Sequence, residues 1–212
     1  MHKEKEIKKE FKKWKDNYGR CNYSLWQGDV SEMIRKDWKT AVKMLKPRKN
    51  QRILDVACGN GLAAIEIAKK TYPEIAYGVD ITKELLSEAR KNARKQKVEN
   101  IKFKLASVRD IPSKDNIFDG AICTNAAHHF HKPVKMFKEI RRVLKNGSRF
   151  ILVDTCATSK RIKEFEKKLK KEEKAHCRFF GLSEIRDILS KAGFSSVKGF
   201  RKDYSYYVTA VA

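Results

Sequence analysis

Residues 53–64 read ILDVACGNGLAA. An apolar run from Ile53 to Cys58, broken only by Asp55, enters a turn carrying Gly59 and Gly61 and leaves into Leu62-Ala63-Ala64, where helical spacing begins. A short buried strand feeding a helix through glycines is the first half of a βαβ unit. Sheets built from such units bind ligands at the carboxyl ends of their strands.

Outward from this stretch the pattern repeats. Apolar strands are predicted over 53–58, 75–79, 101–106, 118–124 and 149–154, with helices over 61–70, 83–97 and 133–144 between them and an Asn146-Gly147 turn before the last strand. Short apolar strands alternating with helices make a parallel sheet covered on both faces. The tail differs. A very basic helix over 160–175 shows Ile162, Phe165 and Leu169 as its stripe, and a helix over 183–192 has Ser183 as N-cap and Gly193 as stop. Strands over 196–200 and 206–211 are joined by a short link and are expected to pair as an antiparallel hairpin. Upstream, Ile7, Phe11, Trp14 and Tyr18 give residues 2–17 a narrow amphipathic helix, and a second helix carries Met33, Trp38, Val42 and Leu45. The fold class is α/β: a Rossmann-like sheet of seven strands, mostly parallel, with helices on both faces and the last strand antiparallel.

The 212 residues suit one domain with a full core. The net charge of +23 opens two readings, a polyanionic partner or a lysine-rich solvated surface. Most of the cations are lysines interleaved with glutamates on predicted helices, which favours the second. Five cysteines without a CxxC pair argue for reduced core thiols rather than disulfides or zinc. There is no secretory leader pattern and no apolar run near 18 residues, so a cytoplasmic location is expected.

The spacing Gly59-x-Gly61-x-x-Ala64, with Asp80 about twenty residues on, also fits a dinucleotide fingerprint, and by that motif alone NAD(H) stands as a ligand. Asp55 argues the other way. It lies four residues before Gly59, where a carboxylate would repel a pyrophosphate. A ligand with a cationic end suits it, and S-adenosyl-L-methionine (SAM) carries an ammonium, a sulfonium and no phosphate.

The residues resemble those of the class I SAM-dependent methyltransferases. Asp55-Val56-Ala57-Cys58-Gly59-Asn60-Gly61 looks like the family's first motif, and GVD ending at Asp80 like its second. LASVRDIP, FDGAIC, NAAHHFHKP and RRVLKNGSRFILVD are similar to the segments that follow, and LSEIRDILSKAGF to the late helix. WKDNYGRCNYSLWQGDVSEMIRKDWKTAVKMLKP resembles the opening segment of the ubiquinone/menaquinone C-methyltransferases, while the HHF stretch looks more like uncharacterised relatives. The resemblance implies one domain over 1–212, with a helical cap segment (1–50), a SAM-binding core (51–154), a lid (155–180) and a closing helix and hairpin (181–212). It also implies SAM as cofactor and S-adenosylhomocysteine (SAH) as product.

The same resemblance gives roles. Asp80 accepts bonds from the ribose hydroxyls and Ile81 lies against adenine. Asp55 organises the methionine end, with Ala57, Gly59 and Gly61 giving backbone and space for close approach. Ser107 and Val108 stand where the family meets the adenine amino group, often with an aspartate at the serine position. Asn125 follows the fourth strand, and Tyr18 and Arg20 close the pocket from the N-terminal side. The base-aminomethyltransferase tetrapeptide is absent, because the chain reads Asn125-Ala126-Ala127-His128.

His128, His129 and His131 cluster past the fourth strand. Histidine titrates near neutrality, which makes His128 a candidate general base; a packed or solvated ring is the alternative. No acidic or cysteine partner stands at metal-ligand spacing. His176 and Arg178, just after the basic helix, are candidate contacts to a polar or anionic substrate, with His129. A small-molecule acceptor is expected, since no accessory nucleic-acid module is present and the aromatics fit core stripes. An RNA or protein acceptor read by the basic surface, or SAM binding without catalysis, are the rival readings.

Overall fold

The structure, a computed structural model, describes residues 30–157, 160–172 and 176–212, with Lys5 and Lys9. The rest of the predicted N-terminal helix, and the candidates Tyr18 and Arg20, lie outside the described residues.

The strands are β1 (Ile53–Val56), β2 (Ala76–Asp80), β3 (Ile101–Leu105), β4 (Phe118–Thr124), β5 (Leu144–Thr155), β6 (Ser195–Lys202) and β7 (Ser205–Val211). The helices are α1 (Val30–Leu45), α2 (Leu62–Thr71), α3 (Lys83–Lys95), α4 (Pro133–Val143), α5 (Lys160–Glu172) and α6 (Leu182–Lys191). One sheet holds all seven strands in the order β3-β2-β1-β4-β5-β7-β6. The first five run parallel, and β7 is antiparallel to both β5 and β6. Strand order reverses between β1 and β4, so a crevice opens there at the carboxyl edge.

The strands are apolar throughout because both faces are covered. In β5, Phe150 and Leu152 join one core cluster while Ile151 and Val153 join the other. Phe137 and Ile140 of α4 and Ile185 and Leu189 of α6 fill the first face. Ala41, Val42 and Leu45 of α1 pack with Ile67 of α2 and Ile122 of β4 on the second. α1 therefore covers a sheet face within the stretch read as a cap. α5 buries its stripe separately, Ile162, Phe165 and Leu169 against Phe179. Several glutamates do pair with lysines on exposed helix faces, as at Lys36–Glu32 and Lys70–Glu66. Among the described residues no helix is long and apolar enough to cross a membrane.

Three local expectations change. β1 stops at Val56 because Ala57 turns left-handed, with φ 55°. The predicted 146–147 turn falls inside β5, where Gly147 takes φ 79° while its N–H donates to Ala212 O at 2.8 Å. Ser183 is not the cap of α6. The helix begins one residue earlier, with Gly181 at the N-cap, extended at φ −79° and accepting from Ile185 N at 2.9 Å.

Candidate active site

The glycine turn is wired to the end of β2. Asp80 Oδ2 accepts from Gly59 N at 2.9 Å and Oδ1 accepts from Thr82 N at 2.8 Å. Two backbone amides thus fix the carboxylate plane, and each oxygen keeps a further lone pair for a ligand. Burial raises the Asp80 pKa, and the amides of Gly59 and Thr82 pull it back. Asp55, at the end of β1, is 2% exposed. Burial raises its pKa well above the ordinary carboxyl value, the Asp80 charge adds to that, and the Ala64 amide at the start of α2 opposes it. Its Oδ2 is buried and makes no hydrogen bond.

Ala57, Gly59 and Gly61 all have positive φ, 55°, 52° and 78°. Left-handed backbone costs a residue with a side chain about 1–2 kcal/mol, so Ala57 is a strained point at the ligand edge. Gly61 answers to packing within the protein. A Cβ there would stand 2.8 Å from Ala89 Cβ and 2.8 Å from Phe103 Cζ. Only its bare Cα lets α2, α3 and β3 close together.

Ile81 is half-buried and Val108 is buried. Ser107 turns its hydroxyl inward to its own loop, where Oγ accepts from Arg109 N at 3.1 Å. Asn125, at φ 51°, donates its N–H to Val153 O at 2.8 Å. Its side chain faces Asp37 of α1 and lowers that acid's pKa, yet Nδ2 has no hydrogen bond of full geometry.

The histidine side was only half visible in the sequence. His128 and His129 lie on a 3₁₀ turn, Ala127–His129, directly after β4. His128 Nδ1 lies 2.7 Å from Asp154 Oδ1, and the His128 N–H donates to Asp154 Oδ2 at 3.0 Å. Asp154 is the acid at the end of β5, buried at 1%. His176 is buried beside this pair, with ring centroids 5.4 Å from His128 and 6.4 Å from His129. Cys177 N and Arg178 N both donate to His128 O, at 3.0 and 3.2 Å, and pin the return from α5 against the histidine turn. Arg178 itself is placed elsewhere: its guanidinium pairs with Glu184 and lies 4.8 Å over the Phe180 ring. His131 is exposed. Among the described residues no group of three or more His, Cys, Asp or Glu is arranged to hold a metal ion.

The profile of a family described as a methyltransferase domain matches residues 47–197. The chain belongs to the class I SAM-dependent methyltransferases. It is 34% identical over 157 residues to the uncharacterised methyltransferase YcgJ of Bacillus subtilis (strain 168), a match that spans 73% of this chain and 61% of that relative. It is 30% identical over 194 residues to the ubiquinone/menaquinone biosynthesis C-methyltransferase UbiE of Rickettsia felis, covering 89% of this chain and 72% of the relative. The crystal structure of the Bacillus subtilis YcgJ protein superposes with a TM-score of 0.70 at 29% identity, over 79% of this chain and 71% of that one.

The carboxyl edge fits the family's cofactor. Asp55 carries an orphaned buried oxygen, and Asp80 has hydrogen-bonding capacity left over. A ligand bringing an ammonium and two hydroxyls completes both; a pyrophosphate completes neither.

Proposed function

We propose that the chain transfers a methyl group from SAM to a small-molecule acceptor. The observation that carries this reading is the pair of buried carboxyls at the ends of β1 and β2, one pinned by the glycine-turn amide and the other with an unpartnered oxygen. Asp80 takes the ribose hydroxyls and Asp55 the amino end, directly or through water. Ile81 and Val108 sandwich adenine, Ser107 contributes its backbone, and Asn125 lies at the crevice floor. SAM, when bound, supplies a methyl group already activated as a sulfonium. The protein's part is alignment and exclusion of water. The acceptor side is the turn that carries His128 and His129, with the His176 ring beside it. One feature supports a small acceptor, the relative named for ubiquinone/menaquinone biosynthesis.

Calorimetric titration of SAM, SAH and NADH into wild type and Asp80→Ala tests the reading. SAM and SAH bind, NADH does not, and Asp80→Ala weakens SAM at least tenfold, since a hydrogen bond to a charged group is worth about 1.5–3 kcal/mol. Failure of both SAM and SAH to bind the folded protein overturns it.

A further inference from the structure

Helix α1 covers a sheet face with apolar side chains, yet at Asp37 it buries an acid. Tyr207 Oη donates to Asp37 Oδ1 at 2.6 Å and Ser205 Oγ to Oδ2 at 3.1 Å. Both donors belong to the start of β7, which lies beside the carboxyl end of β5, with Ser205 opposite Thr155 and Tyr207 opposite Val153. Val153 O in turn accepts from Asn125 N at 2.8 Å. Asp37 is thereby carried to the edge of the sheet that holds the crevice, where the Asn125 side chain faces its carboxyl.

Two hydroxyls do not call for a carboxylate. A neutral acceptor would satisfy them at a smaller desolvation cost. Among the described residues no lysine or arginine pairs with Asp37, and the charge that acts on it is another acid, Asp154 of β5, itself 2.7 Å from His128 Nδ1. Burial lifts the Asp37 pKa to about 6, the donors Tyr207, Ser205 and Asn125 pull against that lift, and the Asp154 charge adds to it. The acid is therefore mostly ionised at pH 7 and mostly protonated at pH 5. Asn125 Nδ2 is buried without a hydrogen bond, so the carboxylate orients the amide by its charge. The remaining buried acids among the described residues, Asp55, Asp80 and Asp154, stand at the same edge. The crevice is thus negative in a chain whose net charge is +23.

We infer that Asp37 is a specificity-determining residue of the cofactor site: its carboxylate, acting through the Asn125 amide and across the crevice, favours the cationic sulfonium of SAM over the uncharged thioether of SAH. This rests on the SAM-dependent methyl transfer proposed above and adds the means by which the two forms of the cofactor are told apart. The two ligands share the adenosine and the amino-acid end, so hydrogen bonds to those ends do not separate them. Their difference in charge is at sulfur. When the methyl group leaves, the S–C electron pair stays on sulfur, the positive charge there is gone, and the attraction of Asp37 goes with it. Protonation of Asp37 removes the attraction in the same way. The discrimination is therefore present above the titration of this acid and lost as pH falls through it.

The test is the ratio of SAM to SAH affinity, measured by calorimetry at constant ionic strength from about pH 5 to pH 7. A merely structural defect weakens both ligands and cancels in the ratio. In the wild type the ratio moves toward SAM by about fivefold as pH rises across this window, the size expected of one charge acting at an effective dielectric constant of about 20. Asp37→Asn keeps an acceptor for both hydroxyls and removes the charge, so the ratio stays at its low-pH value throughout. Tyr207→Phe keeps the acid and removes a bond that favours its ionised form, so the rise is moved to higher pH; this variant carries the test if Asp37→Asn does not fold. A wild-type ratio that does not change with pH, an Asp37→Asn ratio that rises as the wild type does, or a Tyr207→Phe midpoint that does not move overturns the inference. If neither SAM nor SAH binds the folded wild type at any pH, the methyl-transfer reading fails instead.

Discussion

Asp37 sits mid-helix in α1 with 1% exposure, where the amphipathic pattern offers no reason for an acid. Tyr207 OH donates to its Oδ1 at 2.6 Å and Ser205 Oγ to its Oδ2 at 3.1 Å. Burial still lifts its pKa from the ordinary 3.8 to about 6. The folded chain thus holds this proton more tightly than the unfolded one. That advantage is complete below about pH 4 and is lost as pH rises to 6, a swing of about 3 kcal/mol. Urea midpoints across this window fall with pH in the wild type, and Asp37→Asn removes that part of the slope. Gly61→Ala is expected to cost about 2–4 kcal/mol, from left-handed strain together with overpacking against Ala89 and Phe103; thermal or urea unfolding reads it. The glycine turn and Asp80 were legible because their spacing is local. Asp154 was missed because its partner is 26 residues away in sequence. The signal was there: VDT at the end of β5 places an acid at the carboxyl edge as LDV and GVD do. Glu166, whose Oε1 lies 3.2 Å from His176 Nε2, had a signal too, since it shares a helix face with Ile162, Phe165 and Leu169.

At the level of elements, strand identity followed from apolar runs, and most boundaries shifted by only a residue or two. The errors came where backbone chemistry outweighed pattern: Ala57 bending left-handed to end β1, and Gly181 serving as N-cap in place of Ser183. Among the described residues α5 is the helix whose buried stripe joins neither main cluster of the sheet. Its buried side chains, Ile162, Phe165 and Leu169, meet Phe179 in a cluster of their own. Local stability follows buried apolar contact, so α5 amides exchange with solvent well before those of β1, β4 and β5 in native-state hydrogen exchange. Phe165→Ala speeds that exchange further and leaves sheet protection nearly unchanged. Phe137→Ala, within the main core, lowers global stability by about 3–5 kcal/mol.

Across the whole molecule the charge of +23 is a self-repulsion that the fold must overcome. Sodium chloride screens it, so the thermal midpoint rises as salt increases from about 10 mM to several hundred, the reverse of a protein held by surface ion pairs. A midpoint that falls with salt would contradict this. The strand order has a consequence for synthesis. β7 lies between β5 and β6, although it follows both in the chain. While residues 156–204 emerge from the ribosome, β5 waits with one long edge unpaired, its row of amides and carbonyls open to any passing strand. Asp37 waits as well, since Ser205 and Tyr207 arrive only with that last insertion. A nascent chain halted before Ser205 is therefore an adhesive object rather than a slightly smaller enzyme, and the moment of greatest risk for this protein in a cell falls just before the sheet is zipped shut.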